Sequence, residues 1–164
     1  MKMKMGKLNL DEQGDKTMRE IIENVIMPDI KKDQKKERDE RIKNRKPETY
    51  KELIEVLRKE HAETFKDITL EAQLDKFVDE GEEYQEADNC LNEARELSDM
   101  FIVAAGISRF APRFVEEILI PFLANQVNKH DDFDKGIIIQ LALEKSLINK
   151  NRKWSNKGGK WQHK

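Results

Sequence analysis

At 164 residues, 39% of them charged and 37% apolar, the chain suits one domain with a thin core made largely of helix-to-helix contacts. A net charge of −2 gives no overall pull toward nucleic acid or an anionic membrane surface. No apolar run approaches the ~20 residues that span a bilayer, the opening MKMKMGK lacks a signal peptide's apolar segment, and the lone Cys90 excludes an intrachain disulfide, so a cytoplasmic location is expected.

Residues 1–46 read as a charged helical extension or arm. Met18, Ile21, Ile22, Val25 and Ile26 recur at helical spacing and make a short apolar stripe, which Pro28 is expected to end or kink. Residues 31–46 are then polar all round, with nine basic and four acidic side chains. They hold no aromatic residue to stack on bases and no groove-reading motif, which argues against nucleic acid. The ordinary use of the apolar stripe is to pack on a partner subunit. Pro47 marks the start of the main domain, residues 47–154. Over 48–65, Tyr50, Leu53, Ile54, Leu57, His61 and Phe65 keep helical spacing and face a core. His61 there reads as a packed or surface histidine rather than a ligand. Asp67 and Thr69 are candidate caps for the helix that follows, and Asn92 for the one after it.

The stretch 76–108 is the one around which the chain is organised. It reads as two helices with a tight connection near 87–92, the first carrying Glu80 and Glu83, the second Glu96 and Asp99. Residues three apart share a helix face. Antiparallel neighbours rising ~1.5 Å per residue place Glu83 and Asp99 at similar heights from the turn, with Glu80 about one turn deeper and Glu96 about one turn nearer the tip. Phe77, Val78, Tyr84 and Ala87, then Leu97, Met100, Phe101 and Ala104, form apolar stripes that the acids border. Carboxylates beside a buried stripe are costly unless paired or metal-bound, and an oxygen-only set suits Mg²⁺ or Mn²⁺.

Ala104, Ala105 and Gly106 are small enough for a neighbouring helix to come close, and 109–112 breaks the run. Residues 114–127 are rich in apolar side chains, among them Ile118, Leu119, Phe122 and Leu123, with Pro121 expected to kink the helix. Such a helix suits an interface as well as a core, so a homo-oligomer is expected, a two-fold dimer or a dimer of dimers. The loop 128–136 contains D-F-D-K-G, but its ligand spacing is wrong for an EF-hand, and Ala142 stands where a bidentate Glu is required. The last helix, from Gly136 to about Lys150, is expected to bury Ile137, Leu141, Leu143 or Leu147, and Ile148. On it Lys145, Asn149 and Arg152 share a face, a row of donors that can hold phosphate oxygens. Trp154 and Trp161 either stack on a base or anchor the basic tail, residues 155–164.

Glu80-Gly-Glu-Glu83 followed after twelve residues by Glu96-Leu-Ser-Asp99 resembles the paired acidic motif of the MazG-like all-α nucleotide pyrophosphohydrolases, a superfamily that includes the helical dUTPases. Glu86-Ala87 and Lys145-x-x-x-Asn149-x-x-Arg152-x-Trp154 fit the same pattern, while Asp79 stands where the family more often has Glu. The likeness spans roughly residues 50–154. It implies an all-α bundle of four to five helices in which Glu80, Glu83, Glu96 and Asp99 hold Mg²⁺, with Mn²⁺ as a substitute. It also implies that Lys145, Asn149, Arg152 and Trp154 contact a nucleoside triphosphate, which water cleaves between the α- and β-phosphates. One acid must take a proton from that water, and Glu80 or Glu83, crowded by like charges, suits the task. Two other classes compete with this reading. A di-metal oxidase needs Glu-x-x-His pairs, and none of His61, His130 and His163 has Glu three positions earlier. A non-catalytic helical module, or a regulatory homologue that binds nucleotide without turnover, would keep the helices and lose the chemistry.

Overall fold

The computed structural model describes the backbone of residues 12–157 and 160–163, and the side chains of 17–154 and Trp161. The opening MKMKMGK lies outside them. In chain order the elements are α1 (Glu12–Ile21), a π-helical turn (Ile22–Ile26), α2 (Met27–Lys43), α3 (Tyr50–Thr64), α4 (Leu70–Glu86) and α5 (Cys90–Ser108). There follow α6 (Pro112–Phe114), a second π-turn (Val115–Leu119), α7 (Ile120–Asn128), α8 (Lys135–Asn151), and strands β1 (Trp154–Lys157) and β2 (Lys160–His163). The body is all-helical, and no described helix is long and apolar enough to cross a membrane. Part of the run read as a basic tail pairs as an antiparallel hairpin, with Trp154 opposite His163.

Pro28 does not end its helix, the first of the two outcomes expected of it, but disturbs it. Proline lacks an N–H, and its ring crowds the carbonyl four residues back. The turn ahead of it is widened instead: the N–H of Met27 bonds to Ile22 O, five residues back. Pro121 is accommodated in the same way, with the N–H of Ile120 bonded to Val115 O. Each π-turn ends two residues before its proline, so the helix continues where a regular ladder would clash.

The chain divides into two units within α2, between Glu40 and Arg41, rather than at Pro47. In the first unit Met18, Ile21, Ile22, Val25, Ile26 and Ile30 are all exposed, an amphipathic stripe as its spacing indicated. In the second, α5 is the central helix, and every residue from Met100 to Ser108 is buried. Helices α3, α4 and α8 pack on it, and α6, the second π-turn and α7 close another side. Leu53, Leu57, Leu97, Phe101, Ile107, Leu123 and Ile138 are fully enclosed, and Phe101 stacks on Tyr50 with ring centroids 4.8 Å apart.

The helix starts follow from side-chain caps: Thr49, Thr69, Asn89 and Asp134 each have extended backbone and accept a bond from the N–H three residues on. Asn89 rather than Asn92 therefore caps α5, and Asn92 Nδ2 bonds back to Asp88 at 3.0 Å. The three residues Ala87, Asp88 and Asn89 are all that separate α4 from α5, which makes the two antiparallel neighbours.

Two expected faces are rotated. Val78 is 59% exposed, since α4 turns Phe77 and Tyr84 inward instead. On α8 the buried residues are Ile138, Ile139, Ala142, Ser146 and Asn149, while Ile137, Leu147 and Ile148 face outward. Small Ala142 and Ser146 let α8 approach its neighbours closely, and the bulkier aliphatics are displaced to the surface.

Within the second unit, two arginines at and just beyond the end of α2 make buried ion pairs with α3. Arg41 grips Glu52 with two bonds of 2.9 Å, and Arg45 grips Glu60 through Nε and Nη2 while Nη2 also reaches Leu143 O at 2.8 Å. Burial alone would push the Glu60 carboxyl up, but the bonds from Arg45 and Ser146 outweigh it and hold the group below its ordinary range. Arg45 closes the helix with Lys46 N–H on Arg41 O (2.8 Å) and its own N–H on Ile42 O (3.1 Å), a turn that needs φ > 0 at residue 45. Its φ is 60°, where glycine is the usual occupant.

Candidate active site

Helix α4 supplies Glu80 and Glu83, and α5 supplies Glu96 and Asp99. Leu97 and Met100, both buried, fix the rotation of α5 so that Glu96 and Asp99 lie at its edges. One carboxylate oxygen from each of Glu80, Glu83 and Glu96 lies within 4.8 Å of the other two. Glu80 is 9% exposed. Its Oε2 and that of Glu96 are buried with no hydrogen-bond partner. Asp99 stands slightly apart, drawn to Lys145, whose Nζ is 3.3 Å from Oδ1. Lys76 Nζ approaches Glu80 Oε1 at 3.5 Å and only partly offsets the crowding.

Burial, then the charges of Asp99 and Glu83, push Glu80 up to about 8. Burial and the same two neighbours push Glu96 up to about 7. Asp99 is also raised, by burial, against the pull of Lys145. Buried carboxylate oxygens left without donors are the arrangement a divalent cation satisfies, and an all-oxygen set suits Mg²⁺ or Mn²⁺. The residues present therefore fit such an ion.

This crowding has a measurable consequence. An acid whose folded pKa is raised binds more protons in the folded than in the unfolded chain, so stability falls as pH rises from its ordinary value toward the folded one. For Glu80 that window runs from about 4.5 to about 8. Neutral His61, held at about 3 by burial and then Arg109, acts in the opposite sense below its ordinary 6.5. In EDTA the melting temperature should therefore fall by a few degrees between about pH 6.5 and pH 8, and Mg²⁺ should reverse the trend. Thermal melts at the two pH values with and without Mg²⁺ check this, and a metal-free Tm that climbs across the window would contradict it.

Two of the acids, Glu80 and Asp99, line a cavity of about 320 Å³, within the size range of small-ligand sites. Lys145, Asn149 and Arg152, the row of donors read from the sequence, line it as well, as does Trp154. Trp154 is held in place by a 2.7 Å bond from its Nε1 to Asn149 O and by an edge contact with Phe65, ring centroids 4.7 Å apart. Trp161 tilts against Phe65 at 6.1 Å, and its Nε1 is buried without a partner. The lining thus combines acidic, basic and aromatic side chains.

No family model, curated protein or solved structure matches this chain. The site stands on its own geometry.

Sequence reasoning left out several lining residues: His61, Phe65, Gln73, Lys76, Ile102 and Val103 also line the cavity. His61 and Phe65 lie on the buried face of α3, and periodicity does not tell that one end of that face opens onto a cavity. Gln73 carried a legible signal. It lies seven residues before Glu80 on the same helix, hence on the same face two turns away, and a buried amide on such a face needs partners.

Proposed function

We propose that the chain is a Mg²⁺-dependent hydrolase that cleaves nucleoside triphosphates between the α- and β-phosphates, as its resemblance to the MazG-like pyrophosphohydrolases implies. The observation that carries this reading is the clustering of Glu80, Glu83 and Glu96, two of whose oxygens are buried without partners, with Glu80 also lining a cavity that Lys145 and Arg152 line. A triphosphate and a carboxylate cluster repel each other, so neither accepts the other without cations between them. Glu80, Glu83 and Glu96 would hold Mg²⁺, which would supply the positive charge that lets an anionic substrate enter and polarises it.

In this reading Glu80, Glu83 and Glu96 would hold the ion. Lys145 would exchange its ion pair with Asp99 for one with a phosphate oxygen, leaving Asp99 available as a fourth acid. Arg152 adds a two-pronged donor, and the Phe65–Trp154–Trp161 cluster offers flat apolar surface to a base. The proton of the attacking water passes to Glu80 or Glu83. Glu80 is the better placed, because it belongs both to the acid cluster and to the cavity wall.

A panel of ribo- and deoxynucleoside triphosphates incubated with Mg²⁺ tests the proposal. At least one member should yield a nucleoside monophosphate and pyrophosphate. Release of orthophosphate with a diphosphate, or no product from any member, counts against it.

A further inference from the structure

Side chains from α3, α4 and the end of α5 meet at one wall of the cavity. An arginine only donates, so the 3.1 Å contact from Arg109 Nη1 makes His61 Nδ1 an acceptor and leaves the ring proton on Nε2. His61 is buried and neutral, and a second bond of 2.6 Å from Arg109 to Phe65 O fixes the guanidinium. His61 Nε2 and Gln73 Oε1 both lie against Gly106, 2.7 and 2.5 Å from where a Cβ would stand, so only glycine leaves room for the pair.

The Nε2–H of His61 thus sits beside the Gln73 carbonyl oxygen. The contact falls short of full hydrogen-bond geometry, and Oε1 has no other partner, but its sign is favourable. Turned over, the amide would set N–H against N–H. The orientation that remains directs the Gln73 NH₂ group toward the cavity, which Gln73 lines while only 2% exposed.

We propose that Gln73, positioned by His61 and Arg109, donates a hydrogen bond to a ring carbonyl of a nucleobase, so that the cavity takes uracil, thymine, cytosine or guanine and rejects adenine. Adenine is the common base with no carbonyl, and where guanine carries O6 it carries an amino group, so at that position donor would face donor. The inference rests on reading the cavity as a nucleotide site and adds which bases it accepts. A base that sets an amino group against the amide N–H should bind roughly tenfold to a hundredfold more weakly.

The test is titration of the full chain, without metal, with the nucleosides uridine, cytidine, guanosine and adenosine, which carry no phosphate for the acids to repel, followed by the fluorescence of its two tryptophans. Uridine, cytidine and guanosine should each bind at least about tenfold tighter than adenosine. Gln73→Leu should level the four, and Gln73→Glu, which presents only acceptors, should turn the ratio of uridine to adenosine affinity in favour of adenosine. His61→Phe keeps a ring in place but frees the amide, so it should narrow that ratio, which loss of packing alone would not do. Adenosine binding as tightly as the rest, a ratio indifferent to Gln73→Leu, or no binding of any nucleoside overturns the proposal. Neither metal nor turnover enters this measurement. Retained base preference without pyrophosphate release would sink the hydrolase reading alone, and pyrophosphate release from ATP as readily as from the other triphosphates would sink the base assignment alone.

Discussion

Glu80→Gln is expected to lower pyrophosphate release by about 1000-fold while raising, not lowering, the melting temperature of the metal-free protein. The two effects share one cause. The Glu80 carboxyl is buried against Asp99 and Glu83, which lifts it to about 8, so removing its charge relieves repulsion in the folded state. The same removal takes away a ligand for the cation, and metal stabilisation of transition-state charge is worth several kcal/mol, hence the ~1000-fold loss. Mg²⁺ should raise the Tm of the parent protein and leave that of the variant where it was. Melts in EDTA and in Mg²⁺, beside the pyrophosphate assay, read all three effects. Glu82→Gln is the control, since Glu82 is an exposed neighbour outside the cluster and should change none of them. A variant that keeps activity within tenfold, or a metal-free Tm that drops, is incompatible with a cation site built on Glu80.

Arg45→Ala should destabilise the protein by about 3 kcal/mol, the cost of leaving a buried carboxylate without its partner. Glu60 is 8% exposed and would retain only the 2.6 Å bond from Ser146. Arg45→Lys should recover only part of the loss, because an ammonium cannot span both carboxylate oxygens and Leu143 O at once. Arg45→Gly separates the two roles of the residue. It deletes the same ion pair but suits the φ of 60°, and should be about 1 kcal/mol more stable than the alanine variant. Chemical denaturation of the three variants checks the order. An alanine variant within 1 kcal/mol of the parent would show that the Glu60 pair contributes little to stability.

Helix content and the acid pairing were legible because both rest on short-range periodicity. Glu80 and Glu83 fall on one face whatever the fold, and the three residues linking α4 to α5 leave little choice about which helix faces them. Lys145, Asn149 and Arg152 line one cavity, in keeping with the shared face their spacing indicates, whereas Trp154 beside them lies beyond α8. The rotation of α8 was not. Ile137, Leu147 and Ile148 are as apolar as Ile138 and Ile139, and only the fit of small Ala142 and Ser146 against neighbouring helices decides which side turns inward. Asp99 was expected among the metal ligands on equal terms with the other acids. Its pairing with Lys145, 46 residues away in sequence, is a long-range contact that no local pattern announces. The prolines marked where the helices are disturbed but not how: a π-turn costs one widened loop of backbone, and nothing in I-E-N-V-I or V-E-E-I-L marks the residues that will adopt it. The Arg109–His61–Gln73 contact joins three helices and depends on the missing side chain of Gly106.

The central claim is that Glu80, Glu83 and Glu96 share a divalent cation. Anomalous diffraction from crystals soaked in Mn²⁺ tests it most directly, because manganese stands in for magnesium and its position is read without reference to activity. A peak between the three carboxylates, lost in Glu80→Gln crystals, is the predicted result. A map with no peak there, or with manganese bound only elsewhere on the molecule, would contradict the account.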